Sequence, residues 1–301
     1  MAGIYAPSPD ALEQRPGLVD RIRFRWRELR TGRFAALFES KTALFGLSLV
    51  IFWIAVAILA PILAPYAPNS ITGKLNQSPS AEHLMGTDQL GRDVFSRLLY
   101  GSRPILLLAP LSVLCSMAVG VTFGLTAGFF GGAIDEVVMR TLDAIMAFPT
   151  LLLYMIIIAA VGASELNVIL AITIGGTPGI ARIVRSLVLD VRSREFVQAA
   201  RLRRESARYI MFREILPNCL GPLVVDGCLR IGYAAFAIGA LGFLGLGLPP
   251  PDPDWGRMVA EGRVWLMTSP WSVLFPALAI SSLVVGLNLF ADGVNEASQR
   301  V

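Results

Sequence analysis

Residues 42–65 read TALFGLSLVIFWIAVAILAPILAP, with no charged side chain from end to end. A helix rises about 1.5 Å per residue, so roughly 20 apolar residues cross the hydrocarbon layer of a bilayer. This run is long enough to do so. Pro61 and Pro65 mark its far end, because proline lacks the N–H that would continue the ladder. Comparable apolar runs recur at 104–130, 142–161, 168–189, 219–247 and 271–290. The whole chain is 54% hydrophobic and 16% charged, where ordinary soluble domains carry about 25% charged residues. The sequence therefore predicts an all-α membrane protein of six transmembrane helices and excludes a soluble domain with one anchor.

The segments between the runs carry the polar chemistry. In the N-terminal segment 1–41, Leu18, Ile22, Trp26 and Leu29 recur at helical spacing among Arg21, Arg23, Arg25, Arg27 and Arg30. That pattern fits an amphipathic helix on the lipid surface, and equally an orientation signal. The segment has no short apolar core and small-residue cleavage site of the secretory kind. In the loop 66–103, Asp88, Arg92 and Asp93 are placed to pair locally, and Val94, Phe95, Leu98 and Leu99 are expected to lie on the membrane surface. In span two, Gly120, Gly124 and Gly128 fall at four-residue steps, which lets a second helix approach closely. Asp135, Glu136, Arg140 and Asp143 are read as a short polar connection before a third span kinked at Pro149.

Two features lie inside the later spans. Gly175, Gly176, Pro178 and Gly179 are expected to interrupt span four near its middle, as a static kink or as a pathway or hinge element. Asp226 and Arg230 are the charges deep in span five. They stand four residues apart on one helical face, so they are expected to pair and to face protein or water rather than lipid. A plain ion pair and a pathway role both remain open. The loop 248–270 holds Pro250, Pro251 and Pro253, with Trp255 suited to an interface and Trp265 and Trp271 in the same region. It is read as an interfacial cap or as a contact for a substrate-delivering protein.

The segment 195–217, EFVQAARLRRESARYIMFREILP, is the longest charged stretch between apolar runs. Arg192, Arg194, Arg201, Arg203, Arg204, Arg208 and Arg213 crowd it, and no bilayer core accepts them. Phe196, Ala199, Ala200 and Leu202 form one short apolar face. After a break near Glu205 and Ser206, a second helical stretch runs through Tyr209, Ile210, Phe212 and Leu216 and is expected to end at Pro217. Ala199 and Ala200 keep the first helix narrow enough for a groove on another protein, with the arginines meeting acidic rims. A charged loop also serves simply to orient the chain. Most Lys and Arg fall in the N-terminal segment and in 182–213. The opposite side has Lys74, Arg92, Arg97, Arg103, Arg257 and Arg263. That excess puts both termini and the loop 192–217 in the cytoplasm.

Several chemistries are excluded. Ser40, Lys41 and Thr42 imitate the end of a phosphate-binding loop, but no glycine precedes Lys41, so ATP hydrolysis by this chain is not expected. His83 is the single histidine, and Cys115, Cys219 and Cys228 sit in apolar runs, so no metal site is expected. The arginines lie between spans rather than on a soluble face, which argues against nucleic acid. A stand-alone channel or secondary transporter would call for internal repeats, and an intramembrane enzyme for a second interior carboxylate beside Asp226; neither pattern is seen.

Four stretches carry a family resemblance. Gln198, Ala199 and Ala200, followed by Ile215, Leu216 and Pro217, resemble the E-A-A…I-x-L-P loop of membrane subunits of bacterial ATP-binding-cassette importers. His83, Gly86, Thr87, Asp88, Gly91, Arg92, Asp93, Ser96 and Arg97 match every fixed position of the H-x-x-G-T-D-x-x-G-R-D-x-x-S-R signature of the C-type subunits of peptide, nickel and opine importers. Residues 241–256 are similar to L-S-F-L-G-L-G-x-Q-P-P-x-P-x-W-G, with Gly242 for Ser and Pro249 for Gln. Asp292 and Gly293 resemble the N-L-x-G-D-G ending. Gln198 stands where Glu is usual, and Arg204 where the family has Gly. Either the turn at 204 is built differently or Arg204 bears a strained conformation.

The resemblance implies a type I importer permease fold in the bacterial inner membrane. It also implies a cytoplasmic coupling helix formed by Glu195, Gln198, Ala199, Ala200, Arg201, Arg204, Ile215, Leu216 and Pro217. The permease core would span 104–292, with a cytoplasmic tail at 293–301. Implied partners are a second, homologous permease subunit, two ATPase subunits that bind ATP and Mg, and a periplasmic or lipid-anchored substrate-binding protein. The chain itself would hold no cofactor. The implied cargo is a small solute, di- or oligopeptides first, with nickel, opines or another small solute as alternatives.

Overall fold

A computed structural model describes residues 40–299; the expected amphipathic helix lies outside them. Five of its helices are long and apolar enough to cross a membrane, and a sixth span arises if one sharply bent pair counts as one. Helix α1 (Lys41–Leu63) is followed by a polar loop and by α2 (Val94–Phe130). Next come α3 (Gly132–Met146), α4 (Thr150–Val161) and α5 (Glu165–Val191). The short α6 (Glu195–Leu202) leads to a single turn, α7 (Ala207–Tyr209). A π-helical segment (Ile210–Ile215) then passes into α8 (Leu216–Phe243). Helices α9 (Trp255–Gly262) and α10 (Trp271–Gln299) complete the chain. One end of the bundle carries Trp255 and Trp271; the other carries α6 and most of the described arginines.

Several sequence expectations need correction. Helix α2 begins at Val94, not near Pro104, because Asp93 caps it by accepting from the Ser96 N–H at 2.8 Å. Its first turns stand within the tryptophan-end core, and Val94, Leu98 and Leu99 are buried there rather than laid on a membrane surface. The polar stretch from Asp135 to Asp143 is not a connection but the helix α3. The chain bends by 87° between α3 and α4, where Pro149 stands at the N-cap of α4 and supplies no donor to the turn before it. Helix α5 is continuous through Gly175, Gly176, Pro178 and Gly179, because packed neighbours hold the chain helical there. Helix α10 runs past Asp292 and Gly293 to Gln299.

The α2–α5 pair is the most extensive helix seam among the described residues. A Cβ at Gly120 would stand 2.8 Å from Ile180, at Gly124 2.6 Å from Val184, and at Gly128 2.7 Å from Val188. One face of α2 has no side chains where α5 presents branched ones, so the two backbones approach closely. Glycines also bring α1 and α10 together: a Cβ at Gly46 would meet the Phe290 N at 2.5 Å. The apolar core falls into two clusters. One joins Trp53, Leu98, Ile238 and Trp255 at and below the tryptophan end. The other joins Leu125, Val184, Val188, Val197, Ala200, Ile210, Ile215 and Leu223 at the arginine end.

Candidate functional site

At the arginine end, α6 is amphipathic in a way the sequence reading divided wrongly. Val197 and Ala200 are buried against Ile210, Ile215 and Val191. Glu195, Gln198, Ala199 and Leu202 form the outward face, and Leu202 is 86% exposed. Ala200, expected on the docking face, is fully buried at 0% exposure, because the helix uses its small residues on both sides. The helix ends in a left-handed cap: Glu205 N donates to Ala200 O at 3.2 Å, Arg204 N donates to Arg201 O at 2.9 Å, and Arg204 has φ of 58°. Of the two readings open for residue 204, the strained one holds. The turn keeps its ordinary geometry, and Arg204 takes a conformation that favours glycine.

Pro217 does not end the second stretch. It sits in the first turn of α8, where its missing N–H costs little. The π turn before it, in which Leu216 N reaches back to Met211 O, widens the helix there. Ile215 is buried, Leu216 half-buried and Pro217 exposed. The arginines divide as well. Arg194 pairs with Asp190 at 2.7 Å, and Arg203 with Glu214 at 3.3 Å. Arg192 donates to Gly128 O at 2.9 Å, and Arg201 lies over the Phe129 ring. Arg204, Arg208 and Arg213 are exposed, with no ion-pair partner among the described residues. Exposed Tyr209 and Phe212 lie beside them in the chain.

At the tryptophan end, the loop before α2 closes on itself. Gly86 and Gly91 have φ of 72° and 77°, which permits its two tight turns. Asp88 Oδ1 accepts from Leu90 N at 2.8 Å and Arg92 N at 3.0 Å, and Asp88 Oδ2 accepts from Arg92 Nε at 2.6 Å. Arg92 Nη2 continues to Glu261 on α9 at 2.9 Å. Asp93 Oδ1 meets His83 Nδ1 at 2.9 Å, and the Thr87 hydroxyl donates to Lys74 O at 2.5 Å. Arg97, 1% exposed, donates to Pro68 O and Asn69 Oδ1. The Glu261 link was missed in the sequence. Its one signal was the four-residue spacing from Arg257, which reads as an ordinary helix pair.

Trp255 is not an interface residue. It is 2% exposed, donates to Leu98 O at 2.8 Å and meets Trp53 edge-on at 4.7 Å. Asp254 caps α9 next to it, accepting from Leu248, Gly256 and Arg257 N–H groups. Burial pushes the Asp254 carboxyl above its ordinary range, while those three donors pull it down. A Cβ at Gly242 would stand 2.5 Å from Asp254 Oδ1, so the glycine clears space for that cap.

Between the ends, a cavity of about 460 Å³ opens among α2, the end of α3, α4, α5 and α8. Gly175, Gly176, Gly179 and Arg230 line it, with Ser116, Tyr154 and Tyr233. Arg230 Nε donates to Asp226 Oδ2 at 2.5 Å, and Arg230 Nη1 donates to Gly176 O at 3.4 Å. The glycines thus accommodate neighbours: a Cβ at Gly175 would stand 2.5 Å from the Tyr154 ring, at Gly176 2.9 Å from Ser116 Oγ, and at Gly179 2.9 Å from Arg230 Nη2. Tyr154 and Ser116 carried no signal in the sequence, because each sits inside an apolar run.

Residues 120–300 match the family described as "Binding-protein-dependent transport system inner membrane component". This chain belongs to that family. Residues 26–84 match the N-terminal TM domain of oligopeptide transport permease C. The chain is 40% identical to the dipeptide transport system permease protein DppC of Alkalihalophilus pseudofirmus, over 90% of this chain and 88% of the relative. It is 37% identical to the glutathione transport system permease protein GsiD of Pectobacterium atrosepticum, over 92% of this chain and 91% of the relative. Among solved structures, the inward-facing MetNI methionine ABC transporter superposes with a TM-score of 0.53 at 18% identity, covering 68% of this chain and 95% of that one. That likeness shows the fold: an ABC importer permease. The family is a transport component rather than an enzyme, and the chain is a multi-pass membrane protein.

Proposed function

We propose that this chain is one permease half of an ATP-driven importer of short peptides, moved by ATPase subunits that seat on α6. The observation that carries the reading is the outward face of α6. A narrow strip of Glu195, Gln198, Ala199 and Leu202 is left uncovered, with three exposed arginines in the same loop that have no ion-pair partner among the described residues. An exposed leucine beside exposed cations fits a groove with an apolar floor and acidic rims. Val197, Ala200 and Ile215 anchor that strip to α2, α5 and α8, so a push on α6 reaches the bundle as a rigid movement. The peptide cargo is supported by relatives whose names specify dipeptides, di/tripeptides and glutathione.

The partners in this reading are a second, homologous permease, two ATPases that hold ATP and Mg, and an external substrate-binding protein. The arginine end faces the cytoplasm, as the positive-charge excess of the sequence requires. The polar knot at the tryptophan end is a structural plug on the opposite face, beside the loop that receives the binding protein. Gly175, Gly176, Gly179 and Arg230 line this subunit's share of the path, with Asp226 holding Arg230 from behind and Pro178 buried off the cavity wall. Coupling is tested with Ala199→Asp, which adds a carboxylate to the exposed strip. Membrane insertion is expected to be unchanged, while co-purification of the ATPases falls at least about tenfold. Undiminished co-purification would refute docking on this face.

A further inference from the structure

Arg230 is the one charged side chain among those lining the 460 Å³ cavity, whose other walls are apolar, aromatic or glycine apart from the hydroxyls of Ser116 and Thr150. Its three nitrogens are used unequally. Nε is held by Asp226 and Nη1 reaches Gly176 O, whereas Nη2 donates to nothing among the described residues. The guanidinium lies against Gly179, where any side chain would displace it. Glycines on α5 and the carboxylate of Asp226 thus fix the fork with one edge open. It lies near the middle of α8, well inside the apolar layer, where an unpaired donor is costly and an arriving acceptor is rewarded.

We propose that Arg230 is a carboxylate-reading site in the translocation path, taking the C-terminal carboxylate of a passing peptide on its Nη2 edge. The inference rests on the peptide-importer reading above. A guanidinium is the side chain best shaped for a carboxylate, and a partly neutralised one suits transit. Asp226 cancels the full charge of Arg230, so an anion is held long enough to be oriented but not trapped; a permeation site must release what it binds. Tyr154 and Tyr233 supply aromatic walls for the adjacent side chain without adding charge. Asp226 is here a positioning residue, acting through the arginine.

The experiment uses the assembled importer in proteoliposomes, with its binding protein and ATPases, and two labelled probes: a dipeptide with a free C-terminus and the same dipeptide amidated. Uptake is expressed relative to each probe's measured affinity for the binding protein. Arg230→Gln is expected to lower uptake of the free acid about tenfold more than uptake of the amide, and Arg230→Lys to restore part of the difference. Because Arg230→Gln leaves Asp226 unpaired, the double variant Asp226→Asn/Arg230→Gln is measured beside it. Assembly is expected to be normal in the double variant, with the preference for the free acid still lost. Equal reductions of both probes in the double variant would make the pair purely structural and overturn the proposal. A wild-type assembly that moves neither probe would instead strike the peptide reading, and the carboxylate site with it.

Discussion

At the tryptophan end, Arg92 and Arg97 lie buried among Asp88, Glu261 and backbone carbonyls. At the arginine end, Arg204, Arg208 and Arg213 stand in the open without such partners among the described residues. Both regions carry signatures readable in the sequence, and the one that matches its family pattern at every fixed position is the closed one. A strict pattern here reflects many simultaneous internal bonds: two glycines at positive φ, two carboxylates each accepting from several donors, and a buried guanidinium. The open loop tolerates Gln198 and Arg204 where the family pattern has Glu and Gly, because fewer of its atoms are committed within the chain.

The largest expected effect breaks the closed region. Asp88→Ala removes one of the two carboxylate acceptors of Arg92 and the nearest carboxylate of Arg97, leaving buried guanidinium groups short of partners. A loss of about 3–5 kcal/mol is expected, read as a collapse of the detergent-solubilised protein's melting temperature. Next, Ala200→Asp and Leu202→Asp, two positions apart on α6, should separate cleanly. The first buries a carboxylate and is expected to cost about 3 kcal/mol or more of stability. The second changes melting by no more than about 0.5 kcal/mol and costs the ATPase partners instead. If both variants melt alike, the division of α6 into inward and outward faces is wrong.

The seam that joins the two regions comes third. Gly124→Leu forces a side chain into Val184 and is expected to cost about 1–3 kcal/mol by overpacking, visible in thermal denaturation. An unchanged melting temperature would mean that α2 and α5 are less close than described. The smallest effect sharpens the open region. Arg204→Gly relieves the left-handed backbone and is expected to stabilise by about 1 kcal/mol, with ATPase binding retained. A destabilised Gly variant would show that the arginine's own contacts outweigh its strain.

The sequence by itself determined the membrane class, the apolar segments and the partition of charge, because these depend on how residue types distribute between water and hydrocarbon. It also located the Gly120, Gly124 and Gly128 seam, since a four-residue period defines a helix face whatever lies opposite. Side-chain partners across long separations were decided only by the tertiary structure. It turned Ala200 inward and Leu202 outward, and buried Trp255 under Leu98. It linked Arg92 to Glu261 and kept α5 unbroken around Tyr154 and Arg230. Local periodicity fixes which face a residue occupies; which face is covered depends on segments far away in the chain, and no local pattern records their positions.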